Sequence, residues 1–514
     1  MRKHAKRCTR PALIALLILA TIIEIGCRSL PGDAQRPDPT YAVAPASQGP
    51  LADFASAGTA RLGSGKSGFV LVDENDEILN WRLALIDSAQ QSLDILTFLW
   101  TDDFGGQLQI GRLLQAADRG VRVRLLVDDF FFRRRDRDVA ALEHHPNISI
   151  RIWNPGRRRA LGRNLDYLVR LRELNHRMHN KVLIADNLVV ISGGRNIADE
   201  YYGTSERFNF FDLDLLAVGP VVPPTSGMFD RYWNSSQAVS AENFYRRVSE
   251  TDLPGVRDER RKQLEASPLR RVFALDPRSW NTLLASGVAE LVPGKAEVIY
   301  DKPGERAPSQ HTLVGLQRFF RQAEKEVLVT SPYLVPGDTF FAQARKLAEG
   351  GVKMKIMTNS LGSTDATFVH AAYARTRVPM LEAGLDVFEM QYMAAMKADL
   401  DTPPVESQWV GLHAKAAVID RRLVFVGSFN LGPRSKNLNT EMGLLVESPV
   451  LGEQLAEVLS EAMSPQNSWQ LRLDTEGNLS WESSDGTLTR QPAQTSRRRI
   501  QSRFFGLFPL ERHL

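Results

Sequence analysis

His179-Asn-Lys181-Val-Leu-Ile-Ala-Asp186 is the stretch that decides the fold, because its pattern returns at His413-Ala-Lys415-Ala-Ala-Val-Ile-Asp420. Both copies read H-x-K-x4-D, and in both an asparagine follows ten residues after the aspartate, at Asn196 and Asn430. The chain has only nine histidines, so a matched pair of such motifs is far from a chance event. Alternation of His and Lys at the start of an apolar run predicts a β-strand with both side chains on one face.

These residue types suit the transfer of a phosphodiester. The reaction needs a nucleophile, positive charge beside the non-bridging oxygens, and an acid that protonates the leaving alkoxide. An asparagine amide or a serine hydroxyl can also donate hydrogen bonds to phosphate. The predicted catalytic set is His179, Lys181, Asp186, His413, Lys415 and Asp420, and the predicted phosphate-binding set is Asn196, Ser428 and Asn430. For the two aspartates, which follow the strand, anchoring a turn is the alternative role.

Each imidazole also needs a group that orients it. A carboxylate on Nδ1 fixes the tautomer and stabilises the imidazolium. Glu441 lies 28 residues after His413 on a predicted strand, and Asp214 has the same parity on the corresponding strand of the first copy. We therefore predict Asp214 and Glu441 as orienting acids, and the alternative is that each is a buried acid paired with an arginine.

An internal repeat predicts the fold class. Residues 86–97 and 320–330 both read as the end of a helix followed by a buried strand, and Ala89 and Ala323 each precede their motif histidine by 90 residues. A second pair of units, residues 113–127 and 344–357, reads as helix, glycine stop and strand. Alternating strands and helices predict an α/β fold with a mainly parallel sheet flanked by helices in each of two repeated domains. A pseudo-two-fold would bring both motifs into one shared active site.

The N-terminus reads as an export signal. Five basic residues between positions 2 and 10 precede an apolar run at 12–23, which as a helix would span roughly 18 Å of a roughly 30 Å hydrocarbon core. The end of this run resembles a bacterial lipoprotein signal with Cys27 as the lipidated residue, although Glu24 stands where that pattern prefers leucine. An ordinary signal and an uncleaved anchor are the alternatives. The only other cysteine is Cys8, so no disulfide is predicted in the folded part.

These observations divide the chain into five segments. They are a signal (1–30), a Pro-rich tether (31–60), an N-terminal domain (61–260), a C-terminal domain (261–480) and a basic, aromatic tail (481–514). In the tail, phenylalanines and leucines lie beside arginines, a composition that suits binding to an anionic lipid interface. Docking of this segment on the protein core is the alternative. A net charge of +4 over 514 residues argues against a nucleic-acid-coating protein. No further cluster has metal-ligand spacing, so we predict neither a metal nor a cofactor.

The two motifs resemble the HKD motifs of the phospholipase D superfamily, in which two half-sites form one active centre. Residues 177–181, 193–196, 358–361 and 433–443 are similar to bacterial cardiolipin synthases of the C type. The resemblance extends from about residue 65 to the C-terminus, and it implies two phospholipase D-like domains.

The resemblance also implies a mechanism and a substrate class. One histidine would form a phosphohistidine and the other would protonate the departing alcohol, and by resemblance the nucleophile is His179 and the acid is His413. The implied activity is a metal-independent phosphatidyltransferase that makes cardiolipin from phosphatidylglycerol and a donor such as phosphatidylethanolamine. Hydrolysis by a phospholipase D and a secreted nuclease are the alternatives, although no nucleic acid partner is expected. The implied place is the bacterial cell envelope, at a membrane surface, with Cys27 as the candidate lipid anchor.

Overall fold

The computed structural model describes residues 38–63, 65–129, 136–156, 174–242, 252–304 and 309–508. The predicted export signal, the first residues of the predicted tether and the arginine-rich stretch at 157–172 lie outside the described residues. Among the residues described, no helix is long and apolar enough to cross a membrane.

The first half of the chain supplies strands and helices in alternation. Its strands are β1 (Ser67–Val72), β2 (Ser92–Thr97), β3 (Arg122–Asp128), β4 (Ile148–Trp153), β5 (Arg177–Met178), β6 (Val182–Ala185), β7 (Val189–Gly193), β8 (Phe208–Phe211), β9 (Asp214–Val218) and β10 (Ala238–Ser240). Its helices are α1 (Pro50–Leu62), α2 (Asn75–Ser88), α3 (Phe104–Asp118), α4 (Asp136–Glu143), α5 (Val222–Trp233) and α6 (Asp252–Ala266).

The second half repeats this arrangement and extends it at the C-terminus. Its strands are β11 (Val292–Tyr300), β12 (Glu326–Thr330), β13 (Lys353–Asn359), β14 (Leu385–Met390), β15 (Trp409–Leu412), β16 (Ala416–Ile419), β17 (Leu423–Gly427), β18 (Asn439–Thr440), β19 (Met442–Glu447), β20 (Ser468–Leu473), β21 (Leu479–Ser483) and β22 (Gly486–Leu488). Its helices are α7 (Asn281–Glu290), α8 (His311–Phe320), α9 (Asp338–Glu349), α10 (Thr367–Tyr373), α11 (Arg377–Glu382), α12 (Lys397–Leu400), α13 (Pro433–Asn437), α14 (Pro449–Ala462) and α15 (Ser496–Phe505).

The two sheets have the same strand order. The first runs β4-β3-β2-β6-β7-β9-β1, the second runs β14-β13-β12-β16-β17-β19-β11, and antiparallel pairing of β1 with β11 joins them. The predicted two-domain α/β repeat is therefore confirmed. The sheets are mixed rather than mainly parallel, because only β2-β3-β4 and β12-β13-β14 pair in parallel and the pairings from β2 to β1 and from β12 to β11 are antiparallel.

A tight hairpin after each motif strand accounts for the antiparallel pairing. Asp186 and Asn187 have φ values of 52° and 54°, and Asp420 and Arg421 have φ values of 50°. Two successive residues with positive φ are typical of the two-residue turns that match the twist of a hairpin. The carboxylate of Asp186 accepts the backbone N–H groups of residues 90–92, and that of Asp420 accepts those of residues 324–326. Each aspartate thus ties its hairpin to the start of the neighbouring strand.

Core packing moves two of the predicted boundaries. Helix α1 lies inside the predicted tether, yet Leu51 and Phe54 are buried, so the tether composition ends before residue 50. Leu269, Trp280 and Leu284 belong to the first-half core, which places residues 261–290 with the first half rather than the second. A further core cluster contains residues of β6 and β9 together with residues of β16 and β19. The halves therefore share part of one core.

Candidate active site

The two motif histidines lie where short strands of one half pair with short strands of the other. β5 pairs with β18, which sets Met178 beside Thr440, and β8 pairs with β15, which sets Phe211 beside Leu412. His179 and His413 follow directly after these ladders, and both are buried. The cross-half pairing brings each histidine against the partner strand of the opposite half.

Each imidazole meets a carboxylate of the opposite half. His179 Nδ1 is 2.8 Å from Glu441 Oε2, and His413 Nδ1 is 2.5 Å from Asp212 Oδ2. Both carboxylates are fully buried. An Nδ1–H group donated to a carboxylate leaves the Nε2 lone pair of the imidazole for chemistry. The sequence placed each orienting acid in the same half as its histidine, whereas the structure exchanges them.

Asp212, rather than the predicted Asp214, is the acid that faces a histidine. Asp214 Oδ2 instead accepts a hydrogen bond from Arg195 Nη1 at 3.3 Å. The two aspartates share strand parity, but the β-structure is interrupted between the end of β8 and the start of β9. Only the aspartate in this interruption, Asp212, reaches across to the other half. The alternative role considered for Asp214, a buried acid paired with an arginine, is the one that its contacts support.

Ser428 also differs from its prediction, because its hydroxyl donates to Glu441 Oε2 at 2.5 Å instead of facing an open phosphate site. Ser435 donates to the other oxygen of Glu441 at 2.6 Å. At the equivalent position in the first motif, a Cβ added to Gly194 would lie 2.1 Å from Asp212 Oδ1. The sequence difference between Gly194 and Ser428 therefore follows from the two different acids, since Asp212 occupies the space that a serine side chain would need.

The motif lysines lie beside their own histidines. Lys181 Nζ donates to His179 O at 2.6 Å, and Lys415 donates to His413 O. Burial lowers the pKa of Lys181 to about 7 and that of Lys415 to about 8, although the charges of Glu441 and Asp212 oppose the shifts. Each ammonium group is therefore held in a site where an added anion would stabilise its charged form.

Burial also sets the protonation of the histidines. It lowers the pKa of His179 to about 4 and that of His413 to about 3, and the charges of Lys181 and Lys415 act on both imidazoles in the same direction. For Asp212, burial would raise the pKa, but the hydrogen bond from His413 and the charges of Lys415 and Arg195 outweigh it and lower the pKa to about 2. Both imidazoles are thus neutral near pH 7, and both lysines act on both of them, as expected for one centre.

Four aromatic rings that the sequence did not identify lie against the two histidines. The Phe98 ring lies 5.0 Å from the His179 ring, and the Tyr201, Phe210 and Tyr333 rings lie 4.9 Å, 5.1 Å and 6.3 Å from the His413 ring. Lys181 Nζ lies 5.5 Å above the Phe98 ring. Phe98 directly follows β2 and Tyr333 follows the equivalent strand β12, so the repeat itself was the signal that could have identified both.

The two asparagines after the motifs lie in the hydrogen-bond network of the centre. Asn196 Nδ2 donates to the Tyr201 hydroxyl at 2.7 Å, and the backbone N–H of Asn430 donates to Ser435 Oγ at 3.1 Å. Their amide oxygens are buried and have no hydrogen-bond partner among the described residues. A 180° rotation of either amide would present N–H donors in place of that oxygen.

Asp186 and Asp420 do not share this location. Each lies beyond its four-residue motif strand, roughly 16 Å along the chain from the lysine. Their carboxylates are occupied by the backbone N–H groups that hold the hairpins, so their place in the predicted catalytic set is corrected to a structural one. In the described part of the chain, no group of three or more His, Cys, Asp or Glu side chains is arranged to hold a metal ion.

Comparison with known proteins identifies the family. Residues 83–210 and 316–463 match the family described as "Cardiolipin synthase, PLD-like domain". Over 87% of its length the chain is 34% identical to cardiolipin synthase C of Escherichia coli (strain K12), of which it covers 96%. It is 24% identical over 74% of its length to a cardiolipin synthase of Staphylococcus aureus (strain Mu50 / ATCC 700699), of which it covers 63%.

Similarity to a solved structure extends this result to the fold. The phosphatidylserine synthase of Haemophilus influenzae Rd KW20 superposes with a TM-score of 0.57 at 14% identity, over 90% of this chain and 100% of that one. The duplicated family match and the E. coli relative agree with each other. The chain belongs to the cardiolipin synthase family of the phospholipase D superfamily.

Proposed function

We propose that the protein transfers a phosphatidyl group between two phospholipids and forms cardiolipin, through a phosphohistidine on His179. The observation that carries this proposal is the reciprocal pairing of His179 with Glu441 and of His413 with Asp212 around two buried lysines. One imidazole can attack phosphorus while the other exchanges a proton with the alcohol, and both lysines can hold the non-bridging oxygens. The relatives named cardiolipin synthase support phospholipids as substrates.

The first half-reaction breaks the donor phosphodiester. The Nε2 lone pair of His179 attacks phosphorus, the bond between phosphorus and the headgroup oxygen breaks, and His413 gives a proton to that oxygen. In the second half-reaction the acceptor hydroxyl returns a proton to His413 and attacks phosphorus, and the bond to His179 Nε2 breaks. Charge, atoms and protons balance over the cycle, and both imidazoles return to their initial states.

Binding of the anionic substrate favours the protonated form of His413, which takes up its proton from solvent. In the free site burial and the neighbouring lysines keep the pKa of His413 low, at about 3. A phosphodiester anion held by Lys181 and Lys415 compensates their charge, which raises the pKa of the imidazole. The Asp212 carboxylate at 2.5 Å then stabilises the imidazolium. The shorter contact of Asp212 with His413, at 2.5 Å against 2.8 Å for Glu441 with His179, supports His413 as the acid and base and His179 as the nucleophile.

The acceptor lipid would bind on the side of the active centre that is formed by Tyr333. Its hydroxyl donates to Asp365 with 2.9 Å to each carboxylate oxygen, and its ring lies edge-on to His413. A carboxylate in this position can accept hydrogen bonds from a glycerol headgroup, which orients a hydroxyl toward His413. His370, in the same stretch of sequence, lies instead against Arg377 and Tyr373, in the packing of the second half.

The test is lipid turnover by the purified full-length protein in vesicles of phosphatidylethanolamine and phosphatidylglycerol, with excess chelator and mass spectrometry of the products. The expected result is cardiolipin from the wild type and none from His179→Ala or His413→Ala. Phosphatidic acid as the sole product would assign the protein as a hydrolase. Turnover that requires added metal would contradict the metal-independent mechanism, and cleavage of DNA without lipid turnover would favour a nuclease. Fractionation of the bacterial envelope would test the proposed export and membrane association.

A further inference from the structure

Helix α15 turns its apolar side chains outward. Ile500 is 66% exposed and Phe504 is 55% exposed, and residues four apart lie on one face of a helix. The opposite face carries Ser502, which is buried. A helix on a protein surface normally packs its apolar side chains inward. The orientation of α15 is the reverse, so its outer face is suited to an apolar environment outside the protein.

Polar groups fix this orientation. Arg498 donates to the Thr364 carbonyl, and its guanidinium group lies 5.7 Å above the Trp409 ring. Gln494 Nε2, just before the helix, donates to the Gly362 carbonyl at 2.6 Å. These bonds attach the inner face to the loop that precedes α10. The outward position of Ile500 and Phe504 therefore does not come from a helix without tertiary contacts.

The exposed side chains form one continuous surface, here called the aromatic patch: Phe368, Ile500, Phe504, Phe505, Leu507 and Phe508. Ring contacts at 5.3 Å, 5.8 Å and 6.4 Å connect its phenylalanines in series. Leu507 is 78% exposed and Phe368 is 44% exposed. From the area of such side chains the patch presents on the order of 500 Å². That lies in the range of roughly 300–600 Å² of the largest apolar patch on a typical monomer, which is often functional, and it is below the roughly 800 Å² per partner of a stable protein interface.

The segment that carries most of the patch is basic. Residues 489–508 contain five arginines and neither aspartate nor glutamate, and Arg497 and Arg503 on α15 are exposed. Apolar and aromatic side chains flanked by arginines are typical of surfaces that insert between anionic lipid headgroups. We propose that the aromatic patch docks this protein on an anionic lipid bilayer.

The docked surface connects to the proposed active site. Arg498 holds Thr364, the next residue is Asp365, and Asp365 accepts the Tyr333 hydroxyl beside His413. Helix α15, placed in the headgroup layer by docking, thus contacts the same loop that contacts Tyr333 in the active centre. Together with the lipid substrates of the proposed function, this connection implies that docking presents headgroups to the centre without removing the lipid from the bilayer.

The first experiment detects docking without turnover. In the full-length chain, Cys8 and Cys27 are replaced by serine, and Gln501→Cys on the outer face of α15 carries an environment-sensitive fluorophore. Vesicles rich in phosphatidylglycerol should raise its emission, and vesicles of phosphatidylcholine should have much less effect. Adding Ile500→Ser and Phe504→Ser should weaken vesicle binding about 100-fold, because docking removes from water only the exposed fractions of these side chains, 66% and 55%. No change in emission with anionic vesicles would overturn the proposal.

The second experiment measures the consequence for catalysis and separates the two proposals. The Ile500→Ser/Phe504→Ser variant should lose at least tenfold of the turnover of vesicle lipids, yet keep wild-type turnover of a short-chain phospholipid dissolved as monomers. The matched control is Val314→Ser/Val450→Ser, which removes two exposed apolar side chains elsewhere and should change neither rate. Equal losses on both substrates would refute docking as the cause. A fluorescence response without any lipid turnover would refute the proposed function and retain the docking surface.

Discussion

Asp212→Asn is the substitution that tests the crossed arrangement most directly. Asn is isosteric with Asp, so the oxygen that accepts the Leu213 N–H at 2.8 Å can stay in place. The atom that faces His413 Nδ1 becomes an amide, which donates where the carboxylate accepted. His413 must then carry its proton on Nε2, and its imidazolium loses the negative charge 2.5 Å away.

The expected loss of kcat is about 10³- to 10⁴-fold. The charge of Asp212 and its hydrogen bond both raise the pKa of His413, whereas burial and the two lysines lower it. With the carboxylate removed, only the lowering effects remain, so the imidazolium form becomes much rarer. The same replacement beside the histidine of a Ser-His-Asp triad costs about 10⁴-fold. Three to four powers of ten correspond to about 4–5 kcal/mol of transition-state stabilisation.

The matched control is Asp214→Asn, two residues away. Asp214 is buried and pairs with Arg195, so its loss should reduce the unfolding free energy by about 3–5 kcal/mol. It does not contact a motif histidine, and turnover per folded molecule should stay within about tenfold of wild type. The assay combines initial rates of lipid turnover with urea denaturation of each variant. Retention of more than a tenth of the activity by Asp212→Asn, or an equal catalytic loss in Asp214→Asn, would refute the assignment of Asp212.

Three further predictions concern other parts of the site. Gly194→Ser places a Cβ 2.1 Å from Asp212 Oδ1, so this substitution should displace the acid and lower turnover about 100-fold. The control Gly227→Ser, in open space on α5, should leave turnover unchanged, and equal rates for the two variants would contradict the explanation given for Gly194. Asp186→Ala removes the acceptor of three N–H groups at a buried site and should lower the unfolding free energy, measured by urea denaturation, by about 3 kcal/mol. Asp420→Ala, at the less buried equivalent position, should lower it by less, and equal losses would be evidence against burial as the cause. Sulfate affinity should fall about 1,000-fold from pH 6 to pH 9, because Lys181 and Lys415, with pKa values of about 7 and 8, lose their charge as pH rises. Loss of the Lys181 charge contributes about 100-fold of this fall in affinity, and loss of the Lys415 charge contributes about tenfold. Calorimetry on Lys181→Arg, whose charge persists at pH 9, should show only about a tenfold fall, and a flat wild-type profile would contradict the lowered pKa values.

The sequence was sufficient for features that repeat along the chain. His179, Lys181 and Asn196 recur at one spacing in the second half, and the helix and strand patterns before them recur with it. Periodicity and motif spacing are local properties, so they predict elements and their order well. The antiparallel pairings were missed because a hairpin after Asp186 depends on backbone dihedral angles that a helix–strand pattern does not report.

Contacts between the halves were beyond the sequence for a physical reason. Asp212 and Asp214 have the same strand parity, and the interruption between β8 and β9 decides which of them reaches His413. In the same way, Ser428 has the right chemistry for phosphate, but its hydroxyl donates to Glu441, which lies between β18 and β19. Both outcomes depend on where a neighbouring strand ends, which is set by tertiary packing.

The crossed pairs also explain why the two halves act as one unit. His179 is oriented by Glu441 of the second half, and His413 by Asp212 of the first. A separated half would have a carboxylate without its imidazole and an imidazole without its acceptor, so neither half would hold a complete histidine–acid pair. The shared core and the β1–β11 pairing hold the halves together, so catalytic geometry and stability depend on the same interface. Substitutions in the shared core should therefore reduce turnover and unfolding free energy together.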